Sequence, residues 1–442
     1  MGRMKCMTRR DMASLLGTLS AGVPLLAVAC GQEAAPTPTK APVAVRYMSN
    51  LPDTHPEGAA RLFVLDEFNK TNDSKITVNL DDGKAITDLP KFKSLAAGGT
   101  PPDLYFAGYF DPGDLYTIGS IIEVDGELKK EKDWAKQRAD IFPAILETSL
   151  WAGKLVSVPA YTNNQGMIYN TALLQQASVA PPKQGWTWDD FRTTALKFVR
   201  PGVIPLSMGW GHTWNHWLGS TGSRIISKDG RKMQVDTAEM LSVMELYLDL
   251  LSRGIAQANP EGTAGLFETY RLAKNDTVFE VQGPYRIPTL RQASVPEFAT
   301  VHIPVHPAKK QITAVNGGHS LVISKGTPEK MYAGALVAKW VNTPAAQTQA
   351  CIRSLSVPVS KGAMESKEMV EYLKTDPAYK GFVDLSPYGW RWPPLPSQGK
   401  ISKAVEDQVT AILRKQVGAK AGLATAQREA QLFLDEDVKL MK

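Results

Sequence analysis

From about residue 43 onward the chain alternates two kinds of apolar spacing. Short runs rich in β-branched and aromatic residues, 43–48, 76–80 and 103–106, read as strands. Between the first two, Thr54-His55-Pro56-Glu57 has the form of a capping box with proline in the first turn. Leu62, Phe63, Val64, Leu65 and Phe68 follow at roughly helical spacing. Strand, helix, strand in the opening segment predicts a parallel sheet covered by helices. Further on, Trp186-Thr187-Trp188-Asp189-Asp190-Phe191 reads as a helix start capped by Thr187, with rings that staple the helix. Residues 224–235 suggest a hairpin turning at Asp229-Gly230. Asp236 is then the expected cap of an amphipathic helix over 238–253, with Glu239 near its start and Gly254 beyond its end. Thr327-Pro328-Glu329 opens another helix over 328–341, and Thr343-Pro344 one more. No repeat is visible. The pattern predicts an α/β protein of two lobes.

The first 42 residues follow a different logic. A basic start containing Thr8-Arg9-Arg10-Asp11 leads into an apolar run over 15–28, then Ala27-Val28-Ala29-Cys30-Gly31. That run is well short of the roughly 20 residues a spanning helix requires, so residues 1–29 read as a signal peptide. The paired arginines resemble a twin-arginine export signal. The small residues before Cys30 resemble a lipoprotein cleavage box, in which Cys30 is acylated and anchors the mature chain to the membrane. The box usually has leucine three residues before the cysteine; here Ala27 stands there, with Leu26 one step earlier. Ordinary cleavage near Ala29 without lipid is the alternative. Either reading places the mature protein outside the cytoplasm. Residues 30–42, dominated by Ala, Pro and Thr, are expected to be a flexible tether.

Without residues 1–29 the chain holds 46 basic and 43 acidic residues, too even a balance to imply a nucleic-acid partner. Cys30 and Cys351 are the cysteines that remain, so a lipidated Cys30 leaves a fold that must stand without a disulfide. Roughly 400 mature residues suffice for two hydrophobic cores. The familiar catalytic strings are missing: no GxxxxGK[ST] phosphate loop, no HExxH and no GxSxG elbow. A Ser-x-x-Lys at 397–400 lies beside Pro396 with no Lys-Thr-Gly to accompany it, and is expected to be a loop. His212 and His216 are four apart, as a zinc pair on a helix requires, but no acid or cysteine lies within the same stretch. Neither a metal nor a cofactor is expected.

Tryptophan stands out. Seven of the ten lie in three groups: Trp186 and Trp188; Trp210, Trp214 and Trp217; Trp390 and Trp392. The segment 208–217 mixes aromatic residues with Gly, His and Asn, and 387–394 is locked by prolines, so neither reads as core helix or central strand. Aromatic rings on loops with amide and charged neighbours suit a sugar, whose C–H face lies on a ring while its hydroxyls need in-plane partners. Packing beneath loops is the competing reading.

Several strings taken together resemble the extracellular solute-binding proteins of sugar ABC importers, in a layout similar to maltose-binding protein. They are Gly98-Gly-Thr-Pro-Pro-Asp-Leu-Tyr-Phe106, Gly153-Lys-Leu-Val-Ser-Val-Pro159 with Met167-Ile-Tyr-Asn170, Trp188-Asp-Asp-Phe191, Gln282-Gly-Pro-Tyr285 and Gly317-Gly-His-Ser-Leu-Val-Ile-Ser-Lys325. The order and spacing of these strings make the likeness specific, and it runs over essentially the whole mature chain.

The resemblance implies two α/β lobes, residues 43–162 with 317–352 and residues 163–316 with 353–442, joined by crossing strands around a ligand cleft. It implies a monomeric, non-enzymatic receptor that passes a sugar to the membrane subunits of an ABC permease. Carried over residue by residue, it places Asp53, His55, Tyr109 and Asp111 at the cleft from the first lobe. Tyr161, Asn163 and Asn316 come from the crossovers, Trp210, Trp214 and Tyr285 from the second lobe, and Trp390 and Trp392 from the proline-locked loop. The family often has tryptophan where Tyr285 stands. An exported carbohydrate-active enzyme, or the same receptor fold with a non-sugar solute such as a polyamine, a phosphodiester or a metal chelate, remain the alternatives.

Overall fold

The structure, a computed structural model, describes residues 42–80, 88–208, 213–261, 266–268, 271–295 and 297–441. The signal, Cys30, most of the tether, Trp210 and His212 lie outside the described residues. Among those described the strands are β1 (Val43–Ser49), β2 (Ile76–Leu80), β3 (Leu104–Gly108), β4 (Leu150–Trp151), β5 (Lys154–Leu155), β6 (Val158–Asn164), β7 (Gly166–Asn170), β8 (Ile204–Ser207), β9 (Thr277–Gln282), β10 (Phe298–Val301), β11 (Ala314–Ile323) and β12 (Gly389–Trp390).

Two sheets organise the chain. The first runs β12-β11-β3-β1-β2, with β6 paired to β11, and the second runs β10-β7-β9-β8. As the opening pattern requires, β1 is parallel to both β2 and β3, with the helix Pro56–Thr71 as crossover. Both sheets are covered by helices, an α/β architecture. A single residue, the buried Gln165, separates β6 in the first sheet from β7 in the second. Its N–H donates to the Val315 carbonyl at 3.2 Å, so the passage between sheets is pinned against the start of β11. β6 and β11 pair antiparallel there, Asn316 opposite Asn164 and Gly318 opposite Thr162.

Gly318 is essential to this crossing. Its φ of +133° is one that a side chain rarely adopts, and a Cβ there would lie 2.4 Å from the Tyr161 carbonyl oxygen. Gly318→Ala is expected to cost on the order of 1–3 kcal/mol through this strain, visible as a shifted denaturation midpoint. An unshifted midpoint would show that the crossover relaxes freely.

Several local readings change in detail. The helix over 56–71 is capped by His55, whose Nδ1 accepts from the Glu57 N–H at 3.3 Å, and Glu57 closes no capping box. Its side chain turns inward instead, as described below. The helix Ala238–Ser252 is capped by Thr237 rather than Asp236, the Thr237 hydroxyl accepting from the Met240 N–H at 3.2 Å. The hairpin expected over 224–235 is present in short form: Ile226 and Met233 make an antiparallel bridge, the Ser227 N–H donates to the Lys232 carbonyl at 2.8 Å and the Gln234 N–H to the Ile225 carbonyl at 2.6 Å. The outer edge of the hairpin is held by the helix Ala419–Leu440, where Gln431 and Gln427 accept from the N–H groups of Met233 and Val235, both at 2.7 Å. Ser397 leads directly into the helix Gln398–Leu413 instead of sitting in a loop, and its N–H and hydroxyl are both held by Asp437. Thr187 caps Trp188–Leu196 in a full capping box with Asp190, and helices over Pro328–Val341 and Pro344–Ser354 start as the Thr-Pro pairs require. Among the described residues no helix is long and apolar enough to cross a membrane.

Candidate functional site

A recess forms beside the start of β11. It is lined by Phe110 just after β3, Trp214 and Asn215 at the start of the helix Trp214–Ser220, Val315 on β11, Arg391 and Trp392 after β12, and Gln398, Ser402 and Glu406 on the helix Gln398–Leu413. Trp214 and Trp392 are buried, whereas Phe110 is 45% exposed and forms an open aromatic edge. The Arg391 guanidinium lies 3.9 Å above the Phe110 ring centroid and donates through Nη1 to the Asn316 carbonyl at 2.6 Å. Burial lowers its pKa to about 10, so it stays charged at neutral pH. Burial also raises the Glu406 carboxyl above its usual range. Trp214 Nε1 and Asn215 Oδ1 are buried without a protein partner. Such groups are costly to leave unsatisfied, so they call for water or a polar ligand.

Beneath this recess the crossing strands meet in a buried polar cluster centred on Glu57. One carboxylate oxygen accepts from the Tyr161 hydroxyl. The other accepts from Asn163 Nδ2 at 2.8 Å and the Ser356 hydroxyl at 3.3 Å. Tyr161 OH also meets His319 Nδ1 at 2.5 Å, and the His319 ring stacks on Phe106 with centroids 4.8 Å apart. Burial, reinforced by the charge of Arg61, pushes His319 down to about 3, leaving the imidazole neutral. Arg61 is itself buried, its guanidinium 4.5 Å from the Phe106 ring centroid. Burial lowers its pKa, opposed by the charges of surrounding groups including Glu57.

The residues nominated from sequence therefore separate into groups. Trp214 and Trp392 line the recess. Tyr161 and Asn163 belong to the Glu57 cluster, and the Tyr109 hydroxyl donates to the Tyr161 carbonyl just above it. Asn316 is fully buried, its backbone carbonyl held by Arg391 and its amide packed against Gly389. Asp111 accepts from the Gly108 N–H at 3.0 Å, and burial raises its pKa to about 6. Tyr285 OH donates to Gln282 Oε1 at 2.7 Å and meets Gln165 Nε2 at 3.5 Å, beside the passage between sheets. Asp53 sits in the turn before the helix Pro56–Thr71, and His55 caps that helix. Trp390 lines a neighbouring recess rather than this one. The segment bearing Trp214 is helical rather than looped, and all of 214–220 is buried. Trp217 packs edge-on against Phe191 and Tyr247 in the core. Trp186 and Trp188 are buried, their Nε1 atoms donating to the His302 carbonyl at 2.9 Å and the Ser220 hydroxyl at 3.2 Å.

Sequence reasoning missed Phe110, Asn215, Arg391, Gln398, Ser402 and Glu406. One signal was available: Gln398, Ser402 and Glu406 recur every four residues, a polar stripe on one helix face. Among the described residues no group of three or more His, Cys, Asp or Glu could hold a metal ion.

Two helix-covered sheets, between which the chain passes from β6 to β7 and back from β10 to β11, define a two-lobed binding-protein fold. The profile of the bacterial extracellular solute-binding proteins matches residues 64–381, and the chain belongs to that family. It is accordingly a solute-binding receptor of the kind that serves ABC transporters, and its family works outside the cytoplasm. Among solved structures, the cyclic alpha-maltosyl-1,6-maltose binding protein of Arthrobacter globiformis is similar at a TM-score of 0.77 and 18% identity, over 90% of this chain and 100% of that one. The GacH receptor of Streptomyces glaucescens, solved unliganded and with acarbose, is similar at 0.74 and 16%, over 90% and 100%. UgpB from Mycobacterium tuberculosis, in complex with glycerophosphocholine, is similar at 0.72 and 17%, over 90% and 100%. At these identities the likeness is one of fold.

Proposed function

We propose that this protein is a non-enzymatic receptor for an oligosaccharide, bound between its lobes and delivered to an ABC importer. The observation that carries the reading is the recess itself, in which aromatic rings from three separate segments surround buried polar atoms without partners. Phe110, Trp214 and Trp392 offer faces for the C–H side of a pyranose. Asn215, Gln398, Ser402, Arg391 and Glu406 offer in-plane donors and acceptors for its hydroxyls. The sugar-binding neighbours of the same fold support this choice of solute class. Calorimetric titration with a panel of neutral oligosaccharides tests it, with a glycerophosphodiester as the non-sugar arm. Saturable binding of a saccharide recovered chemically unchanged is expected. Binding of the phosphodiester alone, or a cleaved saccharide, would overturn the reading.

The recess holds only about 40 Å³, room for a few water molecules and not for a sugar ring. Solute can enter only if the walls part, and the crossing at Gln165 and β11 is where the lobes would hinge. A ligand that touches both walls then favours the contracted state, because only that state contacts it on two sides. Small-angle scattering is expected to give a larger radius of gyration without ligand than with it. Equal radii would argue against hinge closure.

The lipoprotein reading of residues 27–30 belongs to the same proposal, since a tethered receptor stays near its permease. Cys30→Ala is expected to release the protein from the membrane fraction or block its maturation. A variant that fractionates like the parent would remove the lipid anchor from the account.

A further inference from the structure

A second recess adjoins the first. The helix Trp214–Ser220 begins at the first with Trp214 and Asn215 and reaches the second with Gly219. At 1.5 Å rise per residue, Trp214 and Gly219 are about 7.5 Å apart along the axis. The chain around β11 and β12 passes between the two recesses in the same way: Val315 and Arg391 line the first, Thr313 and Trp390 the second. The second is far roomier, about 360 Å³, within the range of small-molecule sites.

Its walls have a distinct chemistry. Trp390 and Tyr388 supply rings, and Ser223, Gln311 and Thr313 supply hydroxyl and amide groups. Trp390 is 95% buried (5% exposed), and its Nε1 has no protein partner. That nitrogen sits beside Gly219, where an added Cβ would approach it to 2.8 Å. The lining contains one charged residue, Arg224, whose guanidinium lies 5.5 Å from the Trp390 ring centroid. Arg224 Nη1 is 3.8 Å from Glu147 Oε2 with both side chains about half exposed, a contact that holds the guanidinium only weakly. A planar fork of donors above an aromatic face, in a lining without carboxylates, suits a ring that bears a carboxylate.

We propose that this recess binds a uronate residue of an acidic oligosaccharide. Arg224 takes the carboxylate in a bidentate pair, Trp390 and Tyr388 meet the C–H face, and Gln311 and Thr313 pair with ring hydroxyls. This rests on the sugar-receptor reading of the first recess, and extends it to an acidic substituent one sugar unit away.

The test is titration of the full mature chain with neutral gluco-, galacto- and xylo-oligosaccharides and with their counterparts carrying one terminal uronate, at low and high salt. At low salt the best-binding acidic member is expected to bind about tenfold more tightly than its neutral counterpart, the scale of one charge-assisted bidentate contact. High salt should narrow the gap. Arg224→Gln should abolish the preference, bringing the ratio of acidic to neutral affinity to about one, and Arg224→Lys, which keeps the charge but loses the fork, should retain part of it. Equal affinity of the parent for acidic and neutral members, or a preference that survives Arg224→Gln, would overturn this inference alone. Binding of neither class would overturn the receptor reading with it.

Discussion

Glu57→Ala is expected to destabilise the protein by about 3–5 kcal/mol, the cost of removing one partner from a buried charged cluster. Glu57 is 4% exposed and accepts hydrogen bonds from Tyr161, Asn163 and Ser356. Its loss leaves Asn163 Nδ2 and the Ser356 hydroxyl without this acceptor and the Tyr161 hydroxyl with His319 alone, and it takes a negative charge from the surroundings of the buried Arg61 guanidinium. The carboxylate also ties the helix Pro56–Thr71 to β6 directly, and through the Tyr161–His319 contact to β11. The damage should therefore appear as loss of the whole cooperative transition. Glu57→Gln keeps the shape and one acceptor, so a smaller loss is expected. Denaturant unfolding of the two variants decides the matter: a Glu57→Ala midpoint equal to the parent's would mean that the cluster does not hold the crossing together.

Trp214→Ala and Trp392→Ala are each expected to weaken saccharide binding by about 1–3 kcal/mol, the scale of a lost aromatic anchor. Both rings line the recess and both are buried, so a stability cost accompanies the loss. Large-to-small changes at buried tryptophan cost about 3–5 kcal/mol. Phenylalanine separates the two effects. Trp214→Phe keeps most of the ring face while removing the unpartnered Nε1, so it should retain most of the stability and lose part of the affinity. Titration and apo melting temperature read the two quantities independently. Variants that melt lower yet bind saccharide with parental affinity would take both residues out of the site.

The legible part of the molecule was set by short-range chemistry. Alternation over 43–80 sufficed for a parallel β1–β2 pair because strand and helix periodicities are properties of neighbouring residues. Thr187, Thr327 and Thr343 announced their helices because a cap is satisfied within three residues of itself. Motif order along the chain was enough to reach the family. The turn at Asp229-Gly230 likewise closed a short hairpin, but nothing local announced that glutamines almost two hundred residues later would hold its outer N–H groups.

The cleft was legible only as a list of aromatic and polar candidates. Trp214 and Trp392, 178 positions apart in the sequence, line one recess only once the crossing between sheets has brought their segments together. The same packing turned Glu57 from an expected capping residue into the buried centre of a polar cluster, and it moved Trp390 to a neighbouring cavity. Local periodicity and capping act over a few residues and are written in the order of the chain. Which side chain is buried, which polar atom is left without a partner and which rings share a cavity depend on contacts between remote segments, and folding alone sets those.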